Sequence, residues 1–279
     1  MTIKKLRIVP GAEALGAEIS GINLCKKLSS NELIAIKQAL LDYEVLFFRK
    51  QPLSPDNHLY FAKLFGDPQL HEAYPHVEDF PELTILENDE ANPSKIEEWH
   101  TDMTFRECPP LGSILHGVVI PETGGDTMFT SLSAAYESLS ESMQTDLENL
   151  SATHDFSYGF KESLKEPGGR ERLAPMIKNN PPVEHPLVRT HPESRKKGLF
   201  VNKLFTSHIN GLEESKSKDL LDFLYSHIED TKHTCRFSWQ KDSIAFWDNR
   251  ITQHKPVNDY WPQLRRMQRI TIDDGNRPA

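Results

Sequence analysis

The sequence predicts a mainly β protein with peripheral helices, of the α+β class, folded as a single domain over residues 1–279. Two observations point there. Short runs rich in β-branched and aromatic residues recur along the later two thirds of the chain, each bounded by turn residues, as in a sandwich or barrel. The helical patterns interrupt these runs instead of forming a block of their own, and no linker, repeat or low-complexity tract divides the chain.

The elements follow in order. Ser29, with Glu32 three residues on, forms a capping-box pattern, and Leu33, Ile36, Leu40 and Leu41 recur at helical spacing, predicting a helix over 30–42. The apolar run Val45-Leu46-Phe47-Phe48 suits a buried strand. Ser54-Pro55 supplies an N-cap and first helical residue, Leu59, Phe61, Ala62 and Phe65 an apolar side, and Gly66 a stop, predicting a helix over 55–65. Strands are expected at 83–86, 113–120, 199–201, 236–239, 243–247 and 267–272, and further helices at 132–149 and 213–228. The stretch 157–185, with Gly168-Gly169, Pro175 and Pro181-Pro182, shows no clean period and is expected to be a long loop serving as a lid or mobile segment.

Composition narrows the function. With 37% hydrophobic and 26% charged residues the chain is an ordinary globular one. Three cysteines, Cys25, Cys108 and Cys235, cannot all pair and lack metal-ligand spacing, so a reducing compartment is expected. The N-terminus carries lysines without an apolar run behind them, and no run approaches the ~18 apolar residues of a membrane span, so the chain is read as cytoplasmic with no membrane partner. The formal charge of −9, without a long basic run, argues against nucleic acid. An anionic substrate would therefore need local positive groups, which makes clustered arginines informative.

The segment Trp99-His100-Thr101-Asp102 places a histidine and a carboxylate two apart, on one side of an extended chain. Far downstream, Trp247-Asp248-Asn249-Arg250-Ile251-Thr252-Gln253-His254 adds a second histidine after an apolar strand. Two histidines and one carboxylate form the facial triad of non-haem Fe(II) oxygenases, which leaves metal positions open for reactants. Next comes Leu264-Arg265-Arg266-Met267-Gln268-Arg269-Ile270-Thr271-Ile272, where alternation sets Arg265, Met267, Arg269 and Thr271 on one face and Arg266, Gln268 and Ile270 on the other. Two arginines on one face can grip carboxylate or sulfonate oxygens through forked hydrogen bonds; a charged edge strand is the structural alternative.

These segments, with Gly16-Ala17-Glu18-Ile19-Ser20-Gly21, His71-Glu72-Ala73-Tyr74-Pro75-His76, Gly124-Gly125-Asp126-Thr127 and His185-Pro186-Leu187-Val188-Arg189-Thr190-His191-Pro192, give a chain that resembles the taurine dioxygenase group of Fe(II)/2-oxoglutarate-dependent dioxygenases over nearly its whole length. The resemblance implies a double-stranded β-helix (jelly roll), with Fe(II) as metal and 2-oxoglutarate and O2 as cosubstrates. It implies His100, Asp102 and His254 as iron ligands, and Arg265 with Thr127 on the distal carboxylate of 2-oxoglutarate. Arg269, His71 and Tyr74 would hold the substrate's anionic head, and Phe156 and Phe205 would line its pocket. His76, His185, Arg189 and His191 are read as structural. The implied reaction hydroxylates the carbon next to sulfur in taurine or a similar small sulfonate, giving an aldehyde, sulfite, succinate and CO2, in a homo-oligomer.

One position departs from the pattern. Four residues before the first iron histidine the family typically has an asparagine that receives taurine's amino group, and here stands Ile96. An apolar side chain cannot make that contact. Alkyl sulfate esters, less polar sulfonates and phenoxy or carboxylic acids are the alternatives. A zinc hydrolase could use the same triad, but Arg265 has no purpose there, and a sensor of small anions would consume no oxygen.

Overall fold

The computed structural model describes residues 6–71, 74–94 and 96–279. The N-terminal lysines lie outside them. The chain forms a jelly roll whose larger sheet has nine strands. They run in the order Arg7–Pro10, Ala17–Ser20, Val45–Phe48, Ile244–Asp248, Gly112–Val119, Arg265–Asp273, Phe80–Asn88 and His76–Val77, with Asp67–Gln69 also pairing to Arg265–Asp273. Facing it is a sheet of Thr234–Phe237, Thr127–Ser131 and Thr252–Pro256. A third sheet of Val183–Pro186, Ser151–His154 and Thr206–Ile209, and a strand pair Val188–Thr190 with Lys197–Leu199, extend one end.

Strand alternation builds two cores from the larger sheet. Leu46, Phe48, Ile114, Ile244, Phe246, Ile270 and Ile272 point outward, onto Ile36, Ala39 and Leu40 of the helix Ser30–Tyr43 and onto Phe61 and Ala62 of the helix Pro55–Lys63. Val45, Phe47, Leu115, Ala245, Trp247 and Met267 point inward and meet Phe129, Phe237 and Trp239 from the facing sheet and the residues after it. Because Met267 is inward, so are Arg265 and Arg269. All three are buried, whereas Arg266 is exposed and paired with Glu87. The expected register of that strand is the observed one.

Both N-caps appear as expected: Ser29 accepts from Glu32 N while Glu32 returns a bond to Ser29 N, and Ser54 accepts from Asn57 N. Gly66 does not act as a left-handed cap. A Cβ there would lie 2.3 Å from the Asp273 carbonyl oxygen, so glycine serves the close approach of the C-terminal strand.

Elsewhere the structure corrects the sequence. The segment expected over 132–149 is two helices, Leu132–Glu137 and Glu141–Glu148, because Ser140 caps the second by accepting from Met143 N. The strand expected at 199–201 is Lys197–Leu199. The stretch 157–185 is largely helical, with Phe156–Gly159, a 3-10 turn at Ser163–Lys165 and the helix Gly169–Asn179. Gly168, at φ +69°, starts the last helix, and Leu173, Met176 and Ile177 pack inward at helical spacing despite Pro175.

Several buried histidines make the fold sensitive to acid. Burial, with the neighbouring His116, lowers His58 to about 3; burial, with His185, lowers His154 well below its ordinary value; and burial lowers His185 to about 4 despite its bonds to the Thr104 and Arg106 carbonyls. Each is neutral when folded and takes up a proton on unfolding below pH ~6.5. Their contribution is therefore complete above that pH and is lost as pH falls toward 4. Urea midpoints should be level between pH 7 and 8 and fall below pH 6.5, as each histidine removes roughly 1 kcal/mol of unfolding free energy per pH unit. A midpoint unchanged from pH 7 to 5 would contradict neutral burial.

Candidate active site

His100 and His254 come together through a reciprocal backbone pair outside the regular strands: His100 N donates to His254 O (3.1 Å) and His254 N to His100 O (2.9 Å). Thr101 Oγ1 donates to Thr252 O (2.8 Å). Asn249 then grips the main chain of Asp102 on both sides, its Oδ1 accepting from Asp102 N (2.8 Å) and its Nδ2 donating to Asp102 O (3.0 Å). Met103 follows in the left-handed region at φ +49°, which costs a side-chain-bearing residue about 1–2 kcal/mol. His100 and Asp102 thus share a side because of a single bridge and a turn, where the sequence suggested an extended strand.

One nitrogen each from His100 and His254 and one oxygen of Asp102 lie within 4.8 Å of one another, all three residues buried. His100 Nδ1 is 2.9 Å from Glu98 O, so it carries the proton and leaves the Nε2 lone pair free, 3.8 Å from Asp102 Oδ1. His254 Nδ1 is buried without a hydrogen-bond partner among the described residues. Burial lowers His100, and burial together with His100 lowers His254 to about 3. Burial pushes the Asp102 carboxyl up, but Arg269, both histidines and the Ser113 hydroxyl (3.0 Å) more than reverse this and hold it well below the carboxylate range. Two neutral imidazoles and an ionised carboxylate form the protonation state that a divalent metal needs. The residues fit the metal.

Arg269 Nη1 donates to Asp102 Oδ1 (3.2 Å) and Oδ2 (3.4 Å), its guanidinium lies 6.0 Å from the Tyr74 ring centre, and its Nε is buried without a partner among the described residues. His71 stacks edge-on against Tyr74 at 4.7 Å, and burial with the nearby Arg269 lowers it to about 3, so it meets the site neutral. Four residues along the strand, about 13 Å, Arg265 Nε donates to Gly125 O (3.1 Å). No carboxylate pairs with Arg265 among the described residues. Burial lowers it to about 10, and it lies 5.9 Å over the Trp239 ring. Trp239 Nε1 donates to Thr127 Oγ1 (3.0 Å), bringing Thr127 beside this second guanidinium. Gly124 must be glycine: at φ +75°, a Cβ there would meet Asp259 Oδ1 at 2.4 Å.

Beyond Met103, Phe105 packs edge-on against Phe156 (5.1 Å) and Phe205 (4.9 Å), all three buried. Ile96, half-buried, receives a bond from Asn258 Nδ2 on its carbonyl (3.2 Å).

A family model described as "Taurine catabolism dioxygenase TauD, TfdA family" matches residues 7–271. The chain belongs to the TauD/TfdA family. It is 40% identical over 264 residues, 92% of this chain and 82% of the relative, to an alkylsulfatase of Acinetobacter baylyi. It is 37% identical over 273 residues, 96% of this chain and 89% of the relative, to an alpha-ketoglutarate-dependent sulfate ester dioxygenase of Pseudomonas putida. Among solved structures it superposes on a taurine dioxygenase from Burkholderia xenovorans with a TM-score of 0.85 at 35% identity, covering 98% of this chain and 92% of that one. It also superposes on AAD-2 in complex with Mn(II) and N-oxalylglycine, with a TM-score of 0.83 at 27% identity, covering 99% and 100%. As a TauD/TfdA member the chain is an Fe(II)- and 2-oxoglutarate-dependent dioxygenase that uses O2.

In this TauD/TfdA chain the residues singled out from sequence form three groups: His100, Asp102 and His254 with Arg269, Tyr74 and His71; Arg265 with Thr127; and Phe156 with Phe205. Sequence reading passed over three others. Ser113 bonds Asp102 from inside an apolar strand, and Trp239 holds Thr127; neither carries a local signal. Asn249 stands inside a segment singled out for His254, and only the fold shows that its partner is Asp102. Asn249→Ala should leave the three ligands in place yet weaken Mn(II) binding to the apoprotein by roughly 10–100-fold, as losses around a metal's ligands do. Calorimetry or Mn(II) electron paramagnetic resonance would read this, and unchanged affinity would contradict the grip on Asp102.

Proposed function

We propose that this dioxygenase hydroxylates the carbon bearing the ester oxygen of an alkyl sulfate, releasing an aldehyde and inorganic sulfate. The observation that carries the reading is the inward face of the strand Arg265–Asp273, which buries two guanidinium groups four residues apart, one for each of two anions. Ile96, with no group for an ammonium, and the similarity to an alkylsulfatase and a sulfate ester dioxygenase favour a sulfate with an apolar tail over taurine.

His100, Asp102 and His254 would hold Fe(II). Bound Fe(II) and 2-oxoglutarate supply the oxidising power to turn C–H into C–OH, with 2-oxoglutarate leaving as succinate and CO2. The remaining work falls to the chain. Arg265 takes the distal carboxylate of 2-oxoglutarate, with the Thr127 hydroxyl donating to the same group. Arg269 takes the sulfate head, with neutral His71 and the Tyr74 hydroxyl beside it, while Phe156 and Phe205 wall the tail and exclude water. Hydroxylation leaves OH and O–sulfate on one carbon. As the hydroxyl loses its proton the carbonyl forms, the carbon–oxygen bond to sulfate breaks, and sulfate departs with the electron pair. A sulfonate would break its carbon–sulfur bond instead and release sulfite.

One observation supports taurine as a second reading. Asn258 Oδ1, on the side chain that bonds Ile96 O, is buried without a partner among the described residues and could accept from an ammonium group.

A panel of alkyl sulfates, taurine, alkyl sulfonates and phenoxyacetates decides between these readings. Alkyl sulfates should stimulate succinate formation most, with aldehyde and sulfate in equal amounts. Greater stimulation by taurine with sulfite release would favour the second reading, and stimulation by phenoxyacetate alone would overturn both. Arg265→Ala should raise the 2-oxoglutarate KM by at least about 30-fold while leaving Mn(II) binding nearly intact, since truncating one partner of a desolvated charge pair costs roughly 2–5 kcal/mol. Exposed Arg266→Ala should be silent.

Arg269→Ala should abolish turnover of every sulfate and sulfonate. Ile96→Asn should shift preference toward taurine by about tenfold, or about 1.4 kcal/mol, a reasonable value for one hydrogen bond to a charged group. No shift would place Ile96 outside the substrate pocket.

A further inference from the structure

A second cluster of arginines lies apart from the groups described above. Arg189, Arg195 and Arg277, with Thr190 and Asn276, line a cavity of about 270 Å³ between the turn after Val188–Thr190 and the C-terminal tail. Arg189 is fully buried, yet its Nε and Nη1 have no hydrogen-bond partner among the described residues. Phe200 lies 5.2 Å beneath its guanidinium, and burial lowers it to about 10. Two carboxylates act on it from a distance, and both are already committed: Asp248 Oδ1 accepts from Arg250 Nε (2.9 Å), its Oδ2 accepts from Arg250 Nη2 (2.6 Å) and lies 3.0 Å from His191 Nε2, and Asp274 Oδ2 accepts from Arg250 Nη1 (3.2 Å).

Arg195 is held at the rim in a left-handed conformation, φ +63°. Its N–H donates to His191 O (3.0 Å), and His191 Nδ1 accepts from Glu193 N and Ser194 N, so the turn is stapled. Arg277 reaches the cavity from the tail while one of its nitrogens bonds the exposed Glu107 (3.0 Å). Thr190 N donates to Ala279 O (2.7 Å), fixing the tail against the strand. Leaving a buried guanidinium unpaired is strongly destabilising, and guanidinium forks match the oxygens of sulfate or phosphate.

We propose that this cavity is a second anion site, separate from the active site, that takes a tetrahedral oxyanion of the sulfate or phosphate type on Arg189, Arg195 and Arg277. Occupancy pairs the buried guanidinium and ties the strand Val188–Thr190 to the tail that follows the arginine-bearing strand Arg265–Asp273. The site stands whether or not the enzyme's substrate is a sulfate.

Calorimetric titration of the full chain with sodium sulfate and sodium phosphate, at an ionic strength fixed with sodium chloride, tests this. The Arg265→Ala/Arg269→Ala variant, which removes the active-site guanidinium groups, should still bind one oxyanion with a Kd at or below the millimolar range. In that background the exposed-rim substitutions Arg195→Ser/Arg277→Ser should weaken the binding at least tenfold, and Arg189→Met should remove it. The rim variant decides if Arg189→Met does not fold. The proposal is overturned if chloride gives the same response, if binding survives the rim substitutions, or if it disappears with Arg265 and Arg269.

Discussion

The site depends on one seam. The reciprocal bond pair between His100 and His254, 154 positions apart (254 − 100), and the two-sided grip of Asn249 on Asp102, 147 positions apart, join distant segments of the chain. None of these bonds involves the imidazole or carboxylate atoms able to hold a metal. They fix the main chain from which the side chains of His100, Asp102 and His254 converge, so those side chains need no bonds to one another. The left-handed Met103 is the cost of turning the chain away immediately after Asp102, and burial of its side chain beside Phe105, Phe156 and Phe205 offsets that strain.

Around that seam, charge is placed by burial. Arg269 leans on Asp102 and keeps it ionised, while desolvation keeps His100, His254 and His71 neutral. Arg265 is buried and, among the described residues, no carboxylate bonds it, with Asp126 acting on it only from a distance, an arrangement that a folded protein sustains when an anion completes it. Arg189 repeats that arrangement elsewhere, with Asp248 already claimed by Arg250 and His191. The chain as a whole is acidic, so anion capture at either place rests on these local groups.

Much of the frame was legible because its signals are local. The capping box at Ser29 and Glu32 and the N-cap at Ser54 depend on bonds spanning three residues, and both appear where expected. Alternation along 265–272 separated buried Arg265 and Arg269 from exposed Arg266 because period two is a property of the strand itself. The segment 157–185 failed for the opposite reason. Gly168 and Pro175 read as breakers, but the helix Gly169–Asn179 is held by packing of Leu173, Met176 and Ile177 against the aromatic cluster, which no local window contains. The strands Thr127–Ser131 and Thr252–Pro256 were likewise missed, since their polar threonines and glutamine are buried by pairing between distant segments.

Residue chemistry was readable along the chain: two histidines and an aspartate able to hold a metal, and arginines spaced to share a strand face, follow from side-chain identity and from periods of two or four residues. That Ile96 stands where taurine enzymes carry an amide comes from the family resemblance instead. Which groups meet was set by the fold. Asn249 finds Asp102, Ser113 finds its carboxylate, Trp239 finds Thr127, and Arg189 is left unpaired, because each depends on sheet register between distant strands. Register is set by how the whole chain buries its apolar faces, and that is a property of the packed molecule and not of any one segment.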